Sequence, residues 1–167
     1  MPFLYRLQSQ QSLSIKQLQY ALQLIVTKHL SIRTALIFNK QNNQLIQHVV
    51  DVDHSAKQCF TFIQSIFETD DQLIQLMHDE KRNSHLFDLA EGLVFRCHIV
   101  HYQQIPSTDT ISDKDVIIFN FHHALFDYPS MHIFLNDLNQ AYTTGQLLSH
   151  DATALRYLDC KFQLCSI

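Results

Sequence analysis

The sequence predicts an α/β protein in which amphipathic helices pack against a sheet of apolar strands. Two runs rich in Val, Ile and Phe, residues 93–102 and 116–121, are the strongest candidate strands. The segments around them place apolar residues at helical spacing. With 167 residues, 46% of them hydrophobic and 17% charged, the chain has the size and composition of one globular domain. Long apolar strands beside amphipathic helices favour an α/β sandwich over a helical bundle.

Capping patterns and periodicity predict the individual elements. Ser14 and Gln17, and again Thr69 and Gln72, have the spacing of a capping box at the start of a helix. Gly145 is suited to end the last helix. The strands are predicted at residues 3–7, 32–38, 44–50, 93–102 and 116–121, and the helices at 14–29, 69–82 and 129–143.

Composition excludes several classes of function. The net charge of −4 and the scattered Lys and Arg residues give no electrostatic footprint for nucleic acid. No apolar run approaches the roughly 20 residues of a membrane span, and residues 1–10 lack the pattern of a secretion signal. The cysteines form no CxxC pair, so they are expected to be reduced, mostly buried thiols of a cytoplasmic protein. They are Cys59, Cys97, Cys160 and Cys165.

One segment carries the residues best suited to chemistry. His122 and His123 directly follow the predicted strand 116–121, and Asp127 follows four residues after the second histidine. An imidazole can accept a proton near neutral pH, and a carboxylate can fix the local geometry. Because adjacent residues of an extended chain point to opposite sides, one histidine is expected to face the interior and the other a cleft. No third ligand stands near them, so no metal site is predicted.

Four segments, in order along the chain, resemble motifs of one enzyme family. Residues 122–127, HHALFD, resemble the HHxxxDG signature of condensation domains of non-ribosomal peptide synthetases, shared as HxxxD by chloramphenicol-acetyltransferase-like acyltransferases. Residues 28–36 resemble the motif RHxxLRTxF, and residues 87–96 resemble FDLxxGPLxR. Residues 157–160 resemble the start of YxDYAxW.

The resemblance implies a fold and a domain organisation. The fold would be the chloramphenicol-acetyltransferase-like α/β two-layer sandwich, of which residues 1–167 would form one lobe, the N-terminal one. The first N-terminal motif of the family and the second lobe are expected to be missing.

The resemblance also implies a reaction. Such domains form an amide bond between a thioester donor and an amine acceptor, both carried on the 4'-phosphopantetheine arms of carrier proteins. No bound cofactor is expected, and the partners would be peptidyl or acyl carrier domains and the second lobe. A chain holding one lobe would have reduced activity or none by itself, because positioning supplies much of the rate.

The family pattern assigns roles to four residues. His123 would be the general base or the group that orients the amine, and His122 would be structural. Asp127 would be structural and would pair with Arg33 of the upstream motif. Independently of the family, Arg33 opens a predicted core strand, where an unpaired buried charge would be costly. A solvated position at the edge of the strand is the alternative for Arg33.

Tyr128 departs from the family pattern, which has glycine at this position. Glycine permits a positive φ and leaves the substrate channel open, whereas tyrosine penalises that conformation and narrows the channel. The alternative function is therefore a non-catalytic remnant lobe that docks carrier proteins or other partners. The spacing from His122 to Asp127 also matches the HxxxxD motif of glycerolipid acyltransferases, but nothing after Tyr128 resembles their phosphate-binding segment.

Overall fold

A four-stranded sheet forms the centre of the computed structural model, which describes residues 1–52 and 59–147. The strands are β1 (Pro2–Tyr5), β2 (Leu13–Ser14), β3 (Thr34–Asn39), β4 (Gln44–Val49), β5 (Thr61–Phe67), β6 (Phe95–Tyr102), β7 (Thr110–Ile111) and β8 (Val116–Phe121). The helices are α1 (Ile15–Lys28), α2 (Asp70–Arg82) and α3 (Ser130–Thr144), and short 3₁₀ helices span Leu30–Arg33 and Ser84–Leu86.

The central sheet has the strand order β1-β8-β6-β5. Strand β8 is antiparallel to both of its neighbours, and β5 is parallel to β6. A parallel pair needs a crossover connection, which here contains α2. Two smaller pairs, β2–β7 and β3–β4, lie outside this sheet. The carboxyl end of β8 therefore lies beside the start of β6 and the start of β1.

The pleat of β8 divides the core into two clusters. Ile117, Phe119 and Phe121 belong to the larger cluster, which also contains the apolar faces of α1 and α3. Val116 and Ile118 belong to a smaller cluster with residues of α2. The sheet and the α1–α3 layer form the predicted α/β sandwich, and α2 covers part of the opposite face.

Most of the predicted elements are confirmed, with two corrections. The hydroxyls of Ser14 and Thr69 cap α1 and α2 as their spacing predicts. Strand β3 begins at Thr34 rather than at residue 32, because residues 30–33 form a 3₁₀ turn after α1. Strand β5 was missed, since polar Gln64 and Ser65 interrupt its apolar run at the exposed edge of the sheet.

The described cysteines fit the prediction of reduced, buried thiols. Cys59 and Cys97 are both buried, and no disulfide joins them. Burial also raises the pKa of the Cys97 thiol. Cys160, Cys165 and the segment 157–160 lie outside the described residues. Among the helices of residues 1–52 and 59–147, none is long and apolar enough to cross a bilayer.

Candidate active site

Two apolar side chains anchor the loop that carries the paired histidines. Leu125 and Phe126, the middle of the HHALFD segment, are 2% and 6% exposed. The ring of Phe126 stacks on that of Phe121, the last residue of β8, with centroids 3.7 Å apart. The backbone N–H of Leu125 donates to the carbonyl oxygen of His122 and closes a turn. This packing fixes the position of the loop that carries His122 and His123.

His122 is half-buried and held on three sides. Its backbone N–H donates to Val94 O at 2.8 Å, and its Nδ1 accepts from the N–H of Ala124 at 3.2 Å. Its ring meets that of Phe87 edge-on, with centroids 5.6 Å apart. Burial lowers the pKa of His122, and the positive charges of the N-terminal amine and of His123 lower it further. A neutral ring that accepts a backbone hydrogen bond fits the structural role predicted for His122.

His123 is exposed and lines an open groove between α2 and β1. No hydrogen bond among the described residues involves its imidazole, so neither ring nitrogen is occupied by a protein partner there. The groove encloses about 770 Å³, within the range of small-molecule sites. The prediction that the two histidines face different environments, interior and cleft, is confirmed.

Asp127 does not pair with Arg33, which corrects the ion pair expected from the sequence. Its Oδ1 accepts hydrogen bonds from the backbone N–H of Ser130, at 3.0 Å, and from the Ser130 hydroxyl. No ion pair in the described part of the chain joins Asp127 to Arg33. The loop turns so that Asp127 reaches Ser130, the first residue of α3, and this local hydrogen bond replaces the distant cation.

Arg33 binds backbone carbonyls instead. Its Nη1 donates to Val50 O and its Nη2 to Thr27 O, while its Nε is buried without a hydrogen-bond partner among the described residues. These bonds tie the end of the 3₁₀ turn to α1 and to the residue after β4. Arg33 therefore links backbone segments through neutral acceptors, and its structural role at the site stays a prediction.

The segments that resemble family motifs converge near His122. Leu89 O accepts from Leu36 N at 2.7 Å, which joins residues 87–96 to residues 28–36. Gly92 has φ +72°, and an added Cβ there would lie 2.6 Å from a methyl of Val50. The glycine of the FDLxxG pattern is thus required by both backbone conformation and close approach. Through Phe87, the same segment reaches the ring of His122.

The start of the upstream motif fastens α1 to α3. The ammonium of Lys28 lies 2.9 Å from the carboxylate of Asp137, and His29 Nε2 lies 2.5 Å from it. Asp137 is 7% exposed, and its buried carboxylate is stabilised by these two partners. This contact lies on the α1–α3 layer and serves the packing of the lobe.

Sequence reasoning missed a buried polar network under α2. Glu80 Oε1 lies 2.8 Å from His98 Nδ1 and accepts from Arg96 Nε at 3.1 Å. Its Oε2 accepts from Asn120 Nδ2, which also donates to the Glu80 carbonyl oxygen. On the far side of His98, Nε2 lies 2.7 Å from the Ser65 hydroxyl. The network ties α2 to the strand that leads into His122 and His123.

A signal for this network was present in the sequence. Arg96 and His98 are two residues apart in an otherwise apolar strand, so both point to the same face. Buried polar side chains need hydrogen-bond partners, and a helix residue is the natural source. Burial by itself raises the pKa of Glu80, but hydrogen bonds from His98 and Asn120 and the charge of Arg96 outweigh it, so the pKa is lowered.

Tyr128 lies next to the site, and neither its backbone conformation nor its side chain is tightly constrained. It is not among the described residues with positive φ, so tyrosine carries no backbone penalty at this position. Its side chain is 76% exposed and lies against Phe3, with ring centroids 6.0 Å apart. The expected penalty for positive φ is therefore wrong, whereas the narrowing of a channel stays a prediction. No group of three or more metal-ligating side chains occurs among the described residues.

Comparison with known families identifies the family of the chain. The profile of the condensation domain matches residues 4–159, which is nearly the whole chain. The chain belongs to the condensation-domain family. The hybrid PKS-NRPS synthetase apdA of Emericella nidulans is 25% identical over 138 residues, covering 83% of this chain and 3% of that protein.

Solved structures show that the chain has the fold of one lobe of such domains. The epimerization domain from the third module of tyrocidine synthetase B aligns with TM-score 0.66 and 17% identity, over 87% of this chain and 30% of that one. The X-domain from teicoplanin biosynthesis aligns with TM-score 0.64 and 23% identity, over 100% and 35%. The condensation domain of the Monacolin K polyketide synthase MokA gives 0.65 and 14%, over 89% and 30%. The condensation-domain chain described here thus spans about a third of their length.

Proposed function

We propose that this condensation-domain lobe contributes His123 to amide formation between a thioester donor and an amine acceptor. The observation that carries the proposal is the contrast between the two histidines. His122 is half-buried, hydrogen-bonded and shifted toward its neutral form, whereas His123 is exposed in a groove with both ring nitrogens available. A general base must reach the proton that it removes, and of these two histidines only His123 meets that requirement.

The reaction proposed for His123 conserves atoms and charge. The acceptor nitrogen attacks the thioester carbon and forms the C–N bond while the imidazole takes the proton of the amine. Collapse of the tetrahedral intermediate breaks the C–S bond, and the imidazolium returns the proton to the departing thiolate. The products are an amide and a free thiol, and no further reagent is consumed.

The proposed partners follow from this reaction. Both groups would arrive as thioesters on the 4'-phosphopantetheine arms of peptidyl or acyl carrier domains. The opposite wall of the site would come from a second lobe, since this chain spans 30% to 35% of the compared structures. Positioning by that wall supplies much of the rate, so the chain by itself is expected to be a poor catalyst.

The test joins this chain to the second lobe of a related condensation domain and measures amide formation by mass spectrometry. His123→Ala should lower kcat by about 10²–10⁴, the range for loss of a general base. His132→Ala is the matched control, since His132 is an exposed histidine on α3 away from the groove. Unchanged turnover in the His123→Ala protein would refute the assignment.

Tyr128 is proposed to narrow the substrate channel once the second lobe is in place. Its 76% exposed ring stands one residue after Asp127, where the family has glycine. Tyr128→Gly in the two-lobe assembly should therefore lower KM for the acyl substrate more than it changes kcat. A KM that stays the same would show that the ring lies outside the channel.

A second candidate function is supported by apolar side chains exposed near the site. Leu4, Ile74 and Tyr128 are 39%, 56% and 76% exposed. Leu4 and Ile74 both line the groove, and an exposed apolar patch marks sites of interaction. A non-catalytic lobe that docks carrier domains would bind them with equal affinity in wild-type and His123→Ala form, and would form no amide when the second lobe is supplied.

A further inference from the structure

Apolar side chains line the groove beside His123 along its length, and basic side chains line one of its ends. We propose that it binds the apolar chain of an acyl group, with the acyl oxygen held at the basic end near His123. This inference rests on the proposed function, because it takes the group that reacts at His123 as the ligand. It adds the chemical class of that group, which neither the family nor the proposed reaction specifies.

The side chains of α2 that line the groove change from apolar to basic along the helix. Ile74, Met77, His78 and Lys81 follow the spacing i, i+3, i+4, i+7, so they lie on one stripe. The stripe is apolar at its first two positions and basic at its last two. Seven residues at 1.5 Å each make it about 10 Å long, which suits a chain of medium length.

The contacts of β8 show which end of the stripe lies near His123. The side-chain amide of Asn120 donates to the carbonyl oxygen of Glu80 at 2.7 Å, so the end of β8 lies beside the residue that precedes Lys81. His123 follows Asn120 by three residues. The basic end of α2 and His123 therefore lie at the same end of the groove.

The other wall places apolar surface at the far end. Leu4 of β1 is opposite Ile118 of β8, two residues before Asn120. Its side chain is 39% exposed, and Ile74 on the facing helix is 56% exposed. An apolar chain between them would remove this surface from water, which is the main source of affinity for such a ligand.

The basic side chains that line the groove determine which polar group of a ligand is favoured there. Within the described part of the chain, the basic side chains that line the groove are His78, Lys81 and His123, and no acidic residue lines it. Glu80 points instead into its network with Arg96 and His98. Oxygen acceptors and anions are therefore favoured at this end, and a quaternary ammonium is disfavoured.

The experiment measures calorimetric binding of decanoate and of decyltrimethylammonium to the 167-residue chain, both below their micelle concentrations. Decanoate should bind, and the cation of the same chain length should bind at least about tenfold more weakly if the charge of the groove selects the head. Equal affinity for the two probes, or no binding of decanoate, would overturn the proposal.

Two pairs of variants separate the groove from the general surface. Ile74→Asp should weaken decanoate about tenfold or more, because it places a charge where the chain would be buried. Ile133→Asp is its control, since Ile133 is 57% exposed on α3 and does not line the groove. Lys81→Glu should also weaken decanoate, and Lys114→Glu should not. Equal effects within either pair would refute binding in the groove.

The outcomes also separate this inference from the proposed function. If decanoate does not bind but His123→Ala abolishes amide formation in the two-lobe assembly, the reaction stands and the substrate class is wrong. If decanoate binds in the groove but His123→Ala leaves turnover unchanged, the groove stands and the assignment of the base is wrong. If Ile74→Asp instead dissociates a dimer that does not bind decanoate, the groove is a contact between copies.

Discussion

At the scale of single residues, Glu80 holds α2 against the sheet that carries the site. Its carboxylate receives hydrogen bonds from Arg96 and Asn120 and lies 2.8 Å from His98 Nδ1. Asn120 precedes His123 by three residues, so the position of α2 and the position of the proposed base depend on the same contacts. One buried carboxylate therefore links the α2 wall of the groove to the strand that leads into His123.

We expect Glu80→Ala to lower the free energy of unfolding by about 3 kcal/mol or more, because it leaves the guanidinium of Arg96, whose side chain is only 13% exposed, without this partner. Urea denaturation at pH 7 measures the change. Glu68→Ala, at an exposed position just before α2, is the control and should change stability by less than about 0.5 kcal/mol. Similar losses for both variants would show that the network contributes little.

The lowered pKa of Glu80 predicts a loss of stability in acid. Its ordinary value is 4.5, and its pKa in the folded protein lies below that. The folded state therefore binds fewer protons between the two values, so the contribution is present above pH 4.5 and is lost as pH falls through the folded pKa. Urea midpoints measured downward from pH 5 should fall less steeply for Glu80→Gln than for the wild type. Parallel curves would contradict this role.

His122 is expected to titrate below its ordinary pKa of 6.5 in the folded protein. Burial is the main cause, and the neighbouring positive charges act in the same direction. NMR titration of its ring protons should give a lower pKa in native buffer than in the same protein unfolded in urea. The stability due to neutral His122 is present above pH 6.5 and is lost as pH falls through the folded value. An equal or higher folded pKa would mean that the ring is not held neutral.

At the scale of elements, Asp127 acts on the start of α3. Asp127→Ala should lower the free energy of unfolding by about 1 kcal/mol, as for the loss of one hydrogen bond, and Asp127→Asn should cost less. A double-mutant cycle with Arg33→Ala measures whether the two residues are coupled. The changes in unfolding free energy at independent sites add within about 0.5 kcal/mol. A larger coupling energy would indicate that Asp127 and Arg33 form an ion pair, which the structure does not show.

A comparison of two glycines tests why the FDLxxG segment needs glycine at position 92. Gly145 ends α3 with φ +68°, and no atom of the described residues lies within 4 Å of an added Cβ, so Gly145→Ala should cost about 1 kcal/mol from backbone strain alone. Gly92 has a similar φ, but its added Cβ would meet Val50 at 2.6 Å. Gly92→Ala should therefore cost about 1–3 kcal/mol more, as overpacking does. Thermal unfolding of both variants measures the difference, and equal losses would show that Val50 moves aside freely.

At the scale of the whole molecule, local patterns predicted the elements better than their contacts. The capping residues Ser14 and Thr69 and the fully buried strand 116–121 have strong local signals, and all appear as predicted. Strand β5 has no such signal, because it lies at the edge of the sheet, where polar side chains can remain in contact with solvent. Its pairing with β6 depends on the crossover through α2, which no short segment specifies.

The site shows the same division between local and distant information. Adjacent positions after a strand were enough to predict that His122 and His123 face different environments. The partner of Asp127 was not predictable, because the turn that directs it to Ser130 depends on the burial of Leu125 and Phe126. Glu80 was missed because its partners lie 16 to 40 residues away in sequence.

We propose that this chain is one lobe of a catalyst in which His123 acts as the general base. Amide formation in the presence of a separately supplied second lobe, with both substrates on carrier domains, tests that claim most directly. We expect amide product from the wild-type chain with the second lobe, little from either lobe alone, and none above background from His123→Ala with the second lobe. Equal product from wild-type and His123→Ala chains would contradict the central claim.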